Sequence, residues 1–212
     1  MEIFVSSKLK EGDFNFIANR LREGDLVVIP TETVYGIAVN IFNDESVDRL
    51  FKLKKRDKNK PITIHVSSEQ DIYNLADVNK YAKILINEFL PGPLTIIMKK
   101  RYNMSLPNCV VKNNKIAIRF PDNDVALKII KKTDTYIAAT SANISGKPSA
   151  TKVEDVIKYF GHKNLDLIVD DGPTKYGMDS TIIDTTVDPP KIVRIGALEI
   201  NKIKDLIGPV KF

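Results

Sequence analysis

The sequence predicts an α+β fold with α/β character, in which a twisted mixed β-sheet is flanked by helices. Apolar residues at helical spacing alternate along the chain with short β-branched runs. This alternation is irregular, and closely spaced strands near the C-terminus favour hairpins, so the sheet is expected to be mixed. The 212 residues contain no repeat and no linker, which indicates a single domain over 1–212.

Helices are predicted where apolar residues share one face. Phe14, Ile17, Ala18 and Leu21 give the first helix, and Gly24 ends it. Further helices are predicted near residues 43–54, from 67 onwards, and near 81–89, 125–130, 153–160 and 199–206.

Strands are predicted where β-branched residues run between turn signals. They lie at 26–29, 37–39, 62–66, 94–98, 116–119, 136–139, 167–169, 180–183 and 191–194. The stretch 140–151 contains the breakers Gly146 and Pro148, so a loop is expected there.

The composition indicates which class of protein this chain belongs to. With 43% apolar and 28% charged residues, the chain is typical of a folded globular domain. No apolar stretch has membrane-spanning length and no secretory signal is visible, so a cytoplasmic protein without a membrane partner is expected. Cys109 is the only cysteine, which forbids an internal disulfide. With only His65 and His162 beside it, a zinc site of nitrogen and sulfur ligands is not expected, and no protein side chain is named as a metal ligand.

Positive charge is concentrated in one segment, although the net charge is only +5. Such a cluster suits a phosphate-bearing ligand or a nucleic acid, and it equally suits a solvated helix end. Its members are Lys52, Lys54, Lys55, Arg56, Lys58 and Lys60.

The common nucleotide and nucleophile motifs are absent from the sequence. There is no G-x-x-x-x-G-K-[ST] loop, no G-x-G-x-x-G after a strand and no G-x-S-x-G turn. A nucleotide site must therefore be built from other residues.

Two polar loops far apart in sequence offer such residues. The loop 30–36 carries Thr33 and Tyr35, and the loop from residue 140 carries Ser141, Asn143 and Ser149. Hydroxyl and amide groups donate hydrogen bonds to phosphate or ribose oxygens, while Lys and Arg supply charge. We expect the loops and the basic segment to face each other across a cleft for a polyphosphate and a small polar molecule. Each loop taken alone is equally a self-capped turn.

Further polar residues lie at predicted strand ends. Arg119 suits a carboxylate or a strand-end ion pair, and His65 is more typical of a packed residue than of a catalyst. The acids at 170–171 and Asp179, which precedes Ser180, can serve Mg²⁺ or a turn.

Taken together, these stretches resemble the Sua5/YrdC/YciO family, and most closely its threonylcarbamoyl-AMP synthases in the short form without a C-terminal Sua5 domain. The matching motifs follow the family's order from near residue 25 to near residue 200. They are Pro30-Thr31-Glu32-Thr33-Val34-Tyr35-Gly36, Lys54-x-Arg56, Lys60-Pro61, Pro91-Gly92-Pro93-Leu94-Thr95, Ile118-Arg119-x-Pro121, Thr140-Ser141-Ala142-Asn143, Gly172-Pro173-Thr174, Ser180-Thr181-Ile182-Ile183-Asp184 and Ile192-Val193-Arg194-x-Gly196.

The resemblance implies a YrdC/RibB-like fold around a basic central cleft. It also implies a nucleotidyltransferase that joins L-threonine, bicarbonate or CO₂, and ATP with Mg²⁺, releasing pyrophosphate. The product, threonylcarbamoyl-AMP, would pass to a tRNA threonylcarbamoyltransferase machinery for the t6A modification.

The resemblance also implies roles for individual residues. Lys54, Arg56, Ser141 and Asn143 correspond to the catalytic set. The ATP contacts implied are Lys54, Arg56, Lys60, Ser141, Asn143, Ser149 and Arg194. The threonine contacts implied are Thr33, Tyr35, His65, Arg119 and Ser180.

Two departures and two alternatives accompany this interpretation. Asp57 and Ile195 stand where proline commonly follows the family's arginines, which affects loop shape without removing a polar contact. The clustered charge also fits a module of the same fold that binds tRNA or double-stranded RNA. A YciO-like paralogue with a related activity is the other alternative.

Overall fold

The computed structural model describes residues 1–162 and 164–212. Within them, all the strands belong to one sheet. The strands are β1 Glu2–Val5, β2 Val27–Ile29, β3 Gly36–Asn40, β4 Thr63–His65, β5 Ala76–Asp77, β6 Leu94–Lys100, β7 Val111–Lys112, β8 Lys115–Arg119, β9 Ile137–Ser141, β10 Leu167–Asp170, β11 Thr181–Asp184 and β12 Lys191–Arg194. The helices are α1 Glu11–Glu23, α2 Asp44–Lys54, α3 Glu69–Leu75, α4 Lys80–Phe89, α5 Asp124–Thr133, α6 Val153–Phe160 and α7 Ile200–Ile207, with a 3₁₀ turn at Ser6–Lys8.

The sheet is mixed, as the sequence predicts. Its order is β1-β10-β2-β3-β9-β4-β8-β6-β11-β12, with β5 beside β6 and β7 beside β8. Strand pairs β1/β10, β10/β2, β4/β8 and β6/β11 are parallel, and the others are antiparallel. The predicted C-terminal hairpin is present as β11 and β12.

Helices cover the two faces of the sheet unequally. On one face, α1 and α5 pack over β2, β3, β9 and β10 with residues such as Ile17 and Ile129. The other five helices pack on the opposite face, which forms the larger core. Beyond α1 and α5, the first face continues over β4, β8 and β6, where Thr63, Ala117 and Ile97 are only partly buried. This stretch is the open face of the sheet.

Capping residues explain where several helices begin. Asn43 precedes α2, and its side-chain oxygen accepts a hydrogen bond from the Ser46 backbone N–H at 3.0 Å. Ser68, Asn79 and Asn123 cap α3, α4 and α5 in the same way. The predicted start of α2 at Asn43 is therefore confirmed.

The structure corrects the sequence prediction at several strands. β9 extends through Ser141, because Thr140 and Ser141 pair with Ile37 and Gly36, so the predicted loop begins two residues later. β1 went unpredicted because three of its four side chains are exposed, and its pairing with β10 is long-range. β5 and β7 are two residues each, too short for a periodic signal.

No helix in the described ranges is long and apolar enough to cross a membrane.

Candidate active site

One row of directly paired residues crosses five neighbouring strands on the open face. It runs from His65 on β4 through Arg119, Thr95 and Ile182 to Arg194 on β12. Directly paired residues point to the same side of a sheet. The strand register therefore brings together three of the predicted site residues that are far apart in sequence.

Arg119 is held by the loop between β2 and β3. Its Nη2 donates to Glu32 Oε1 and to Thr33 Oγ1, both at 2.8 Å. Glu32 and Arg119 form a buried ion pair, with side chains only 2% and 6% exposed. Burial lowers the pKa of Arg119, while the charge of Glu32 acts in the opposite direction. Thr33 has no exposed surface and acts here as an acceptor that orients the guanidinium.

Lys54 joins the two predicted site segments. It is the last residue of α2, and its ammonium donates to the backbone oxygens of Ser141 and Asn143 and to Asn143 Oδ1. Ser141 Oγ also donates to Asn143 Oδ1 at 2.7 Å. The basic segment and the loop after β9 are therefore in direct contact through Lys54, whereas the sequence prediction placed them on opposite sides of a cleft.

Burial is the largest influence on the pKa of Lys54. Desolvation, followed by the nearby charge of Arg56, lowers the pKa of Lys54 to about 7, and Asp179 partly opposes the shift. A pKa near 7 leaves the charge of Lys54 sensitive to its surroundings, and an anion nearby would favour the ammonium form.

Arg56 lies beyond α2 in a turn that it stabilises itself. Its Nε donates to the Lys60 backbone oxygen at 3.2 Å, and its Nη2 donates to the Pro61 oxygen at 2.9 Å. Burial lowers the pKa of Arg56, and the charge of Arg194 lowers it further. The Lys60 side chain is exposed, and this residue contributes its backbone oxygen to the turn.

Asp179 links two of the predicted ATP contacts. Its Oδ1 accepts from Ser149 Oγ at 3.0 Å, and its Oδ2 lies 3.5 Å from Arg194 Nη1. Arg194 also donates to the backbone and hydroxyl oxygens of Ser180, whose hydroxyl bonds Thr95 Oγ1 at 2.8 Å. Asp179 therefore sits among the cations of the site, a position that its sequence motif does not reveal.

His65 is a buried, neutral imidazole. Its Nδ1 lies 3.1 Å from the Thr63 backbone oxygen. Burial, followed by the charge of Arg119, lowers the pKa of His65 to about 3. Its ring faces the same side as Arg119, which is compatible with the predicted substrate contact.

The position of Tyr35 differs from that of the threonine contact which the resemblance implies. Its ring is completely buried in the larger core. Its hydroxyl donates to the Gly172 oxygen at 2.7 Å and accepts from the Asp171 N–H at 3.0 Å. Burial raises the pKa of Tyr35, so it remains a neutral phenol. Tyr35 thus joins two loops behind the site instead of lining it.

Comparison with known proteins gives concordant matches. A family model described as Sua5_yciO_yrdC, telomere recombination, matches residues 19–196. A putative threonylcarbamoyl-AMP synthase from Methanocaldococcus jannaschii is 39% identical over 188 residues, covering 89% of this chain and 87% of that relative. A threonylcarbamoyl-AMP synthase from Pyrococcus abyssi is 37% identical over 211 residues, covering 99% of this chain. This chain spans only 61% of the length of the Pyrococcus relative.

A solved structure agrees with these sequence matches. The crystal structure of Pyrococcus abyssi Sua5 complexed with L-threonine is similar with a TM-score of 0.91 and 36% sequence identity. The similarity covers 99% of this chain and 61% of that chain. The fold prediction is thus supported over nearly the whole sequence.

Proposed function

Because the chain belongs to the Sua5/YciO/YrdC family, we propose that it is an L-threonylcarbamoyladenylate synthase. The enzyme joins L-threonine, bicarbonate or CO₂, and ATP, and it releases pyrophosphate. The observation that carries this proposal is the contact of Lys54 with Asn143, which unites the basic segment and the polar loop in one site. In reaction class it is a nucleotidyltransferase.

The cations of the site suit a triphosphate. Lys54 and Arg56 approach from the end of α2, and Arg194 approaches from β12. The short side chains of Ser141 and Asn143 add groups that bond oxygen atoms. Bonds from cations to phosphate oxygens are among the stronger hydrogen bonds in proteins, and the fork of arginine matches them geometrically.

The chemistry then depends on position and charge. Arg119 holds the carboxylate of L-threonine. The ammonium of L-threonine first loses a proton to water, and the free amine then adds to CO₂ and releases a second proton to give a carbamate. A carbamate oxygen attacks the α-phosphorus of ATP, the bond to the β-phosphate oxygen breaks, and pyrophosphate leaves with the electron pair. No covalent enzyme intermediate is needed, so catalysis consists of alignment and stabilisation of phosphate charge.

Magnesium fits this site as an ion that enters with the nucleotide. Mg²⁺ on ATP is typically held by substrate phosphates and only one or two protein carboxylates. Asp179 would hold it, since its carboxylate lies beside Ser149 and Arg194. The ion would neutralise phosphate charge, and Asp179 would orient the triphosphate through it.

The product defines the wider role. Threonylcarbamoyl-AMP is a mixed anhydride that transfers its threonylcarbamoyl group to an amine and releases AMP, and the proposed acceptor is an adenosine of tRNA in the t6A modification. A cytoplasmic site of action and a downstream tRNA threonylcarbamoyltransferase machinery belong to this proposal.

The experiment is a pyrophosphate-release assay in which one substrate at a time is omitted. We expect release only when ATP, L-threonine and bicarbonate are all present. ATP binding without threonine-dependent release would reject the synthase, whereas release with another amino acid would favour a YciO-like activity. Salt-sensitive tRNA binding that survives Arg56→Ala and Asn143→Ala would favour the RNA-binding alternative. The same pyrophosphate-release assay on the Arg194→Met variant tests the site. Arg49→Met, which removes a partly exposed arginine on α2, is the matched control.

A further inference from the structure

The segment 195–198, which follows β12, packs directly against the backbone that carries Asp179 and Ser180. A Cβ atom added to Gly196 would lie 2.3 Å from the Asp179 backbone oxygen and 2.4 Å from the Ser180 carbonyl carbon. Gly196 is not among the glycines with a positive φ. Glycine is therefore needed at position 196 for the close approach of two backbone segments, and not for its conformational freedom.

The hydroxyl of Thr181 fastens the segment 195–198 to the start of β11. Its Oγ1 donates to the Leu198 oxygen at 2.7 Å and accepts from the N–H groups of Gly196 and Leu198 at 3.0 and 3.2 Å. The Ala197 N–H adds a hydrogen bond to the Asp179 oxygen at 2.9 Å. A hydroxyl offers one donor and two acceptor positions, so these contacts use the whole bonding capacity of the fully buried Thr181.

The backbone held in this way orients the guanidinium of Arg194. Its Nε donates to the Ser180 backbone oxygen at 3.0 Å, and its Nη2 donates to the Ser180 hydroxyl at 3.1 Å. Its Nη1 lies 3.5 Å from Asp179 Oδ2. Two of the five N–H donors of the guanidinium are thus used on Ser180, which leaves the Nη1 donors and the second Nη2 donor for a ligand. The direction of these donors depends on where Ser180 lies.

We propose that Thr181 and Gly196 are positioning residues, which hold the Asp179–Ser180 backbone where it aims Arg194 at the triphosphate. The inference rests on the proposed function, in which Arg194 contacts ATP, and it adds two residues that touch no substrate. The fork of an arginine binds phosphate oxygens strongly only when its donors are aligned with them. A displaced Ser180 therefore weakens ATP binding through Arg194.

The test measures the dissociation constant of a non-hydrolysable ATP analogue by calorimetry. Gly196→Ala forces the two backbone segments apart, so this constant should rise about tenfold, the loss expected for a hydrogen bond to a charged group. Thr181→Val removes the hydroxyl and should raise the constant about threefold to tenfold. Thr181→Ser keeps the hydroxyl and should bind the analogue within about twofold of the wild type.

Thr185→Val is the matched control for Thr181→Val. Thr185 is also buried, and its hydroxyl donates to the Ile97 backbone oxygen at 3.0 Å, just beyond the other end of β11. Its loss should lower the free energy of unfolding in urea and change the affinity for the ATP analogue by less than about twofold. Unfolding measured for every variant separates a loss of stability from a loss of binding.

Coupling to Arg194 distinguishes a positioning role from a general structural role. If Gly196 and Thr181 act through Arg194, their substitutions should change the dissociation constant by less than about twofold once Arg194→Met is present. Thr181→Val has nearly the same volume as the wild-type side chain, so it tests the inference even where Gly196→Ala does not fold.

Failure of this inference is distinguishable from failure of the proposed function. Wild-type affinity in the folded Thr181→Val variant, or the same loss with and without Arg194→Met, would overturn the inference and leave the proposed function standing. An equal loss in Thr185→Val would overturn it as well, because any buried hydroxyl of this region would then have the same effect. A wild-type protein that does not bind the ATP analogue would overturn the proposed function and, with it, this inference.

Discussion

The ammonium of Lys54 lies 2.6 Å from the backbone oxygen of Asn143 and 3.1 Å from its side-chain oxygen. The two residues are 89 positions apart in sequence. Because Lys54 ends α2 and Asn143 follows β9, this contact fixes the basic segment against the polar loop. The Ser145 N–H strengthens the junction by donating to the Lys54 backbone oxygen at 2.9 Å.

The first prediction concerns the charge of Lys54. Replacing it with Met keeps the length and removes the donor, so the dissociation constant of an ATP analogue should rise about tenfold to hundredfold, the range for a hydrogen bond to a charged group. Lys52→Met removes an exposed lysine of the same helix and should leave that constant within about twofold. Equal effects of the two substitutions, measured by calorimetry, would contradict a specific role for Lys54.

The second prediction follows from the depressed pKa of Lys54, about 7. At pH 8 the free protein carries mostly the neutral amine, and a triphosphate beside it favours the ammonium. Binding of the ATP analogue should therefore take up a proton at pH 8, and its affinity should fall as pH rises above 7. Calorimetry in buffers of different ionisation enthalpy measures this uptake. If the Lys54→Met variant takes up the same number of protons on binding, the proton is taken up by another group.

The third prediction concerns the buried ion pair of Arg119 and Glu32. Arg119→Met leaves an unpaired buried carboxylate and should lower the free energy of unfolding by about 3–5 kcal/mol. Adding Glu32→Gln removes that charge, so the double variant should be more stable than Arg119→Met alone. A double-mutant cycle measures this interaction: the free energy of unfolding in urea is compared for the wild type, the two single variants and the double variant. Purely additive losses would show that the two side chains do not interact.

The fourth prediction concerns Asp179. In Asp179→Asn the cations around the site lose a competing anion, so an ATP analogue without Mg²⁺ should bind as tightly as to the wild type, or more tightly. If Asp179 holds the ion, Mg²⁺ should increase the affinity of the wild type for the ATP analogue, and it should increase the affinity of Asp179→Asn far less. Titrations with and without a chelator measure how much Mg²⁺ increases the affinity for the ATP analogue. An equal increase in the wild type and in Asp179→Asn would show that Asp179 does not coordinate the ion.

The sequence predicts those helices and strands whose capping residues and apolar pattern lie within the element itself. Helix α2 follows from the cap at Asn43 and the apolar face of Val47, Leu50 and Phe51. Strand β1 has no such signal, because its partner β10 lies more than 160 residues away and its own side chains are largely exposed. The end of β9 was also misplaced, since pairing with β3 overrides the loop propensity of Thr140 and Ser141.

The sequence names candidate site residues but does not predict how they are arranged. The motifs identify Lys54, Asn143 and Arg119, but their hydrogen-bond partners depend on the sheet register and on loops brought together by folding. Tyr35 illustrates the difference: its motif indicates a site residue, whereas its burial makes it a link to the loop after β10. The placement of Asp179 among cations likewise appears only in three dimensions.

The most direct test of one shared site is a crystal structure with L-threonine and a non-hydrolysable ATP analogue. The account predicts the triphosphate in contact with Lys54, Arg56 and Arg194, and the amino acid carboxylate on Arg119. The α-phosphorus should lie near the amino nitrogen of L-threonine, at a distance that a carbamate formed on that nitrogen would span. A nucleotide bound away from Lys54 and Asn143, or an amino acid bound away from Arg119, would contradict the account.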